Sequence, residues 1–269
     1  NNKNVHFVHV AANDGRQFDL ALIEGKEKDS IDNGELAYLR EAAENGAPVY
    51  KVGYISDKTA ESVLGADKFY FAERINPDDR EAATVLDMVS ALSKTNRLPL
   101  YRDTVKAYMA LVDKSTPTEL KKEGSFIGPI DYHPDNFMVD QRRGVIVVVD
   151  IGTIGKMTPA QILQGLFEDY SLASEPFSSG EDAWGDYGVA YVLDESSFGL
   201  DQYNKHLFDG VRDALGDQKT KEFLAAAYND KETIPFLGVN NPILFDTQKQ
   251  QIAKYMEDEF SVKLGSSPP

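Results

Sequence analysis

Three side chains stand in an arrangement that can hold a hard cation and accept a proton: Asp131, Asn136 and Asp150. In Asp131-Tyr132-His133-Pro134-Asp135-Asn136 an Asp is followed five residues later by an Asn, so one loop supplies a base and an oxygen ligand. Asp150 lies 14 residues beyond Asn136 and closes the run Val145-Ile146-Val147-Val148-Val149. Five β-branched residues in a row make a buried strand. Met138 and Val139, a short spacer and the run 145–149 then form a hairpin that brings Asp150 back beside Asn136. Magnesium takes its protein ligands from carboxylate and carbonyl oxygens. Phosphoryl transfer needs such ligands together with an acceptor for the hydroxyl's proton. Taken singly, Asp131 and Asn136 are also good turn formers around Pro134, and Asp150 can cap a turn. Their joint order and spacing favour chemistry over that simpler reading.

The elements that must position them divide the chain in two. Runs 5–12 and 17–24 have strand character and flank Asn13-Asp14-Gly15-Arg16, a strong hairpin signal. A helix follows over 32–45, with Leu36, Leu39 and Ala43 on one face and Gly46 and Pro48 ending it. Strands are expected over 49–55 and 68–75. Helices are expected over 78–94 and 101–114, the second with Val105, Tyr108, Met109 and Val112 on one face. Beyond 158 the pattern is mainly helical, over about 158–172, 201–215, 218–229 and 247–260. A strand-rich part thus precedes a helix-rich part, with the joint near 76–80, which predicts an α+β fold in two lobes. His6 and His9 alternate on a strand and read as partly buried polar residues rather than metal ligands. Trp184 reads as a loop anchor or partner contact, and the Tyr and Phe residues of 187–208 as core.

Residues 126–160 resemble the kinase superfamily, in its aminoglycoside-phosphotransferase-like and atypical branches. Asp131-x-His133-Pro134-x-Asn136 is similar to their catalytic loop, and Asp150-Ile151-Gly152 to their Asp-Phe-Gly metal motif. The stretch from Asp150 to Pro159 resembles the segment after that motif in the atypical kinases of coenzyme Q biosynthesis. Glu35-Leu36-Ala37-Tyr38-Leu39-Arg40 with Ala47-Pro48-Val49 resembles helix C and the strand after it, and Phe69 to Ile75 resembles the hinge strand. The resemblance implies a two-lobed protein-kinase-like fold: a small strand-rich lobe over 1–76, a helical lobe over 77–262 and a flexible tail over 263–269. It implies ATP with Mg²⁺ or Mn²⁺ as cofactors, Asp131 as catalytic base, Asn136 and Asp150 as metal ligands, and Glu35 as the helix-C carboxylate. His133 would be structural, and the backbone from Glu73 to Ile75 would meet the adenine.

Three positions depart from the family. Pro129 stands where a His is frequent, Gly15 is a single glycine where a phosphate-covering loop has several, and Ala21 holds an inward position on the strand that should carry a phosphate-binding lysine. The first lysine after that strand is Lys26, which the resemblance implies as the phosphate-binding group. Its mixed-charge surroundings, Glu24-Gly25-Lys26-Glu27-Lys28-Asp29, equally describe a solvated loop. Glu35 likewise has a second reading, because a helix dipole alone favours an acid in the first turn.

Composition bounds the partners. The chain has 269 residues, 42% of them hydrophobic, a formal charge of −16 and a pI near 4.7. That is enough apolar material for a core, and a surface so acidic repels nucleic acid and anionic lipid. There is no Cys, which excludes disulfide scaffolds and thiolate chemistry, and no run long enough for a membrane span. Asn1-Asn2-Lys3-Asn4 is not a signal peptide and reads as a start within a longer protein. The leading expectation is an ATP- and Mg²⁺-dependent phosphotransferase acting on a hydroxyl. The short stretch between Asp150 and the helix near 158 resembles the reduced kinases that bacterial pathogens deliver into host cells, which favours a protein substrate. The alternatives are a small-molecule kinase, for which the acidic region 168–201 would suit a cationic acceptor, and a pseudokinase serving as a binding module. The expected location is cytoplasmic, or a host cell for a secreted effector.

Overall fold

A computed structural model gives the architecture. It describes residues 3–25, 33–53, 69–75, 84–85, 94–130, 132, 136–151, 153–168, 200–236 and 239–265. Strand β1 (Lys3–Ala11) and strand β2 (Gln17–Gly25) form the expected hairpin. Its turn is closed by the Ala12 N–H on the Arg16 carbonyl at 2.8 Å, with Gly15 at φ +83°, a left-handed conformation that favours glycine. Helix α1 (Asn33–Glu44) follows and buries Leu36, Leu39 and Ala42. The buried alanine of that last turn is Ala42, while Ala43 is half-buried. Gly46 (φ +76°) ends the helix with the Ala47 N–H on the Ala42 carbonyl at 2.9 Å and the Gly46 N–H on the Ala43 carbonyl at 3.1 Å. This pair of bonds satisfies carbonyls that a helix end would leave open. Strand β3 (Val52–Gly53) begins later than the expected 49, with 54 and 55 outside the described residues, and β4 (Phe69–Glu73) completes an antiparallel sheet of order β1-β2-β4-β3.

The C-terminal part is mainly helical. Helix α2 (Lys94–Ser115) begins well before the expected residue 101 and carries Pro99 inside it. Proline removes one ladder hydrogen bond, and burial of Leu98 beside it works against that loss. The predicted face of Val105, Tyr108, Met109 and Val112 is buried. Then come α3 (Thr118–Lys122), β5 (Phe126–Pro129), β6 (Phe137–Asp140), β7 (Val145–Val148), β8 (Ile154–Met157), α4 (Pro159–Glu168), α5 (Leu200–Leu215), α6 (Asp217–Asn229), β9 (Thr233–Phe236), β10 (Val239–Pro242) and α7 (Asp246–Phe260). The hairpin β9–β10 lies where sequence patterning gives no strand. Pro235 and Pro242, each within one of its two strands, mask the strand pattern.

The chain is therefore an α+β protein, an N-terminal antiparallel sheet followed by a mainly helical part. No helix among the described residues is long and apolar enough to cross a membrane. The expected joint at 76–80, Trp184, and most of helix 78–94 and of region 168–201 lie outside the described residues.

Candidate functional site

The site is organised by the hairpin of β6 and β7. Phe137 pairs with Val148, Met138 with Val147 and Asp140 with Val145, so the strands run antiparallel in register. One step beyond that ladder the Asn136 carbonyl accepts from the Val149 N–H at 2.8 Å and lies 3.5 Å from the Asp150 N–H. Asn136 and Asp150 are thus neighbours at the open end of the hairpin, as their spacing predicts. Both are half-buried. The strand behind them is fixed, with Val147 and Val148 buried and Ile151 fully enclosed.

The same strand joins the two parts of the chain. The Val148 N–H donates to the Pro48 carbonyl at 2.8 Å, and Val49 forms a parallel bridge with Val148. Residues 48–50 consequently carry Tyr50 to the hairpin. The Tyr50 hydroxyl lies 3.2 Å from the Tyr70 hydroxyl, which is held on β4. Burial, then Tyr70, and then the carboxylates of Glu35 and Asp150 hold the Tyr50 phenol well above its ordinary pKa. Glu35 is only 5% exposed, although it occupies a first helical turn. It therefore faces the protein interior rather than serving only the helix dipole. Glu35 and Asp150 act on one phenol.

Asp131 lies outside the described residues, but its flanks do not. The Tyr108 hydroxyl donates to the Pro129 carbonyl at 2.7 Å. Tyr132 packs edge-on against Tyr108 (centroids 5.1 Å apart) and lies against Phe137 at 5.3 Å. Pro129 thus serves as a backbone anchor for the loop. Gly128, opposite Gly155 in the β5–β8 pair, lets β5 approach α2: a Cβ there would meet Val112 Cγ2 at 2.7 Å.

On the nucleotide-facing expectations the structure is mixed. Lys26 lies outside the described residues. Ala21 is buried as the alternation predicts, and the next inward position on β2 is Ile23, also buried. Ala21 pairs with Ala72 and Ile23 with Tyr70. The inward face of β2 is therefore apolar at both positions. Ile75 is buried, and the Glu73 N–H donates to the Lys51 carbonyl at 2.8 Å. The Glu73 side chain makes a contact that sequence gives no sign of: it is ion-paired with Arg143 in the β6–β7 turn.

Arg143 Nε also lies 3.2 Å from Asp140 Oδ2, while Asp140 Oδ1 accepts from the N–H groups of Arg142 and Arg143 at 3.0 and 3.1 Å. His6 and His9 are exposed rather than partly buried, because β1 is the edge strand of the sheet; each meets a carboxylate, Glu24 at 3.1 Å and Asp19 at 2.9 Å. The hydrogen bond that the His9 ring donates to Asp19 raises the His9 pKa.

Among the described residues no three His, Asp or Glu side chains gather into a metal-binding group. The amide of Asn136 and the carboxylate of Asp150 nevertheless fit Mg²⁺, which takes one or two protein oxygens and fills its shell with phosphates and water. No protein-family model matches the chain, and no curated protein matches it significantly.

Proposed function

We propose that the chain is an ATP- and divalent-cation-dependent phosphotransferase of two-lobed, protein-kinase-like architecture, transferring the γ-phosphoryl group to a hydroxyl, with a protein hydroxyl as the favoured acceptor. The observation that carries this reading is the pairing of Asn136 with Asp150 at the end of the β6–β7 hairpin. Glu35 supports it as a buried carboxylate on α1, 5% exposed, where the resemblance implies the helix-C acid. In this mechanism Asn136 and Asp150 would hold the cation, whose chemistry would be to neutralise phosphate charge. Asp131 accepts the proton of the acceptor hydroxyl as its oxygen bonds to phosphorus and the bond to the β-phosphate oxygen breaks, releasing ADP. The backbone of Glu73–Ile75, beside the small paired residues Ala21 and Ala72, would meet the adenine.

A second reading, a pseudokinase that uses the fold to hold a partner, is favoured by one observation: both inward positions of β2 are apolar. The two readings separate in one experiment. Melting temperature is measured with ATP, with Mg²⁺ and with both, since a ligand of the folded state raises it by mass action. Labelled ATP and a cell extract then test transfer. Binding with transfer supports the phosphotransferase; binding without transfer selects the pseudokinase. No shift at millimolar concentrations of both ligands refutes the phosphotransferase.

A further inference from the structure

We propose that β1 is an association strand: two copies of the chain pair antiparallel along Lys3–Ala11, about a two-fold axis at Phe7, and join their sheets into one. Among the described residues β1 is paired on one side only, with β2, and stands at the end of the sheet order. The turn fixes which backbone groups face outward. The Ala12 N–H bonds the Arg16 carbonyl, and bonded and open pairs alternate along an antiparallel ladder. Val10 lies opposite Phe18, Val8 opposite Leu20 and His6 opposite Leu22, so these residues turn their N–H and C=O groups to β2. Lys3, Val5, Phe7, His9 and Ala11 turn theirs away from the sheet. The strand runs through nine continuous pairs with no proline and a lysine only at its end, so it lacks the usual protection of an edge.

Two of the outward residues also carry exposed apolar side chains, Val5 at 52% and Phe7 at 56%. They share a face with Ile23 and Ala21, opposite them on β2, which are buried. The apolar inner face of the sheet thus continues onto β1 and is uncovered there. Charge selects a second copy as its cover. The chain carries −16, so most surfaces would meet like charge on another copy. β1 has no carboxylate; its ionisable side chains are Lys3, His6 and His9, and the neighbouring Glu24 and Asp19 are taken up by His6 and His9 at 3.1 and 2.9 Å. Antiparallel pairing centred on Phe7 sets Lys3 opposite Ala11, Val5 opposite His9 and Phe7 opposite Phe7 of the second copy. Every outward residue then meets another, and no two like charges oppose. Arg74, over the Phe7 ring at 4.4 Å, has the Asp19 carboxylate near enough to offset its charge.

The chain has no Cys, so a single introduced thiol can be cross-linked only to a second copy. Sedimentation velocity of wild type at micromolar concentrations should show a monomer–dimer equilibrium. Phe7→Lys removes the aromatic pair and sets two like charges opposite one another, which should weaken the dimer about tenfold. Phe7→Cys should cross-link rapidly with a short bis-maleimide. Val5→Cys should not, because the two copies of that position stand four residues apart along the paired strands, about 14 Å. Both residues are exposed, so the substitutions spare the core, and melting temperatures check this; the cross-linking comparison decides alone where Phe7→Lys does not fold. A wild type that stays monomeric, a dimer indifferent to Phe7→Lys, or equal cross-linking at both positions overturns the proposal. β1 carries none of the proposed cation ligands, so each of these results leaves the phosphotransferase reading standing.

Discussion

Arg143→Ala should loosen the contact between the β4 strand and the β6–β7 turn. Arg143 bridges Glu73 on one side and Asp140 on the other. Its side chain is 41% exposed and that of Glu73 34%, so the Glu73 arm alone is an exposed pair of about 0.2–1 kcal/mol. The Asp140 arm differs, because the Asp140 side chain is 6% exposed and lies 3.2 Å from the guanidinium. At an effective dielectric of about 20 that separation carries roughly 5 kcal/mol of gross attraction. Desolvation and side-chain ordering cancel most of it.

Asp140 Oδ1 keeps its two backbone donors in the variant. Glu73 fares worse, since its buried Oε2 has no hydrogen-bond partner among the described residues and its other oxygen would lose Arg143. The net cost is expected at about 1–2 kcal/mol. At this chain length that lowers the melting temperature by about 2–8 °C. Differential scanning calorimetry of Arg143→Ala, Glu73→Ala and the double variant isolates the pair, with an expected coupling of about 0.5–1 kcal/mol that shrinks in 1 M salt. Melting of Arg143→Ala within 1 °C of wild type, or a coupling of zero, would refute the reasoning.

Asp131→Ala should leave Mg²⁺-dependent ATP binding near wild type and reduce phosphoryl transfer by about 10²–10⁴-fold, whereas Asp150→Ala should abolish the metal-dependent part of binding; equal losses of nucleotide affinity would contradict that division. Asp113 is largely buried between Lys121 at 2.9 Å and Lys219 at 3.2 Å. Burial pushes its pKa up, but the hydrogen bonds and charges of the two lysines outweigh this and leave it below the ordinary carboxylate value. Its contribution is therefore complete above the unfolded carboxylate pKa and is lost as pH falls through the lower folded value; Asp113→Asn should flatten the acid limb of melting temperature against pH, and an unchanged limb argues against the assignment. Gly210 lets α5 touch α2, since a Cβ there would lie 2.6 Å from the Arg102 carbonyl and 2.9 Å from Val105 Cβ. Gly210→Ala should cost about 1–3 kcal/mol, visible as a lower urea midpoint with the slope unchanged.

Local signals made most of the N-terminal part legible. Asn13-Asp14-Gly15-Arg16 specifies a tight turn whatever surrounds it, and that turn folds the flanking runs onto each other. Gly46 ended α1 for the same local reason. The pairing of Asn136 with Asp150 was also readable, because hairpin register follows from strand lengths and the spacer between them. Where distant segments decide the outcome, the residues carry no mark of it. Arg143 and Glu73 are ordinary surface charges in sequence, 70 positions apart.

Tyr50 and Tyr70 sit in strand-like runs where a tyrosine reads as core, and they are core. Their hydroxyls meet only because β7 pairs with the Pro48–Val49 backbone while β4 lies between β2 and β3. The inward alternation of β2 correctly marked Ala21, yet the meaning of the next inward residue, Ile23, depends on its partner Tyr70 across the sheet. Alternation tells which residues face inward, and register tells what they face. The proposed cation ligands are likewise placed by pairing: Asn136 depends on β7 for its position, and Asp150 on the Asn136 carbonyl, which faces the Val149 and Asp150 N–H groups.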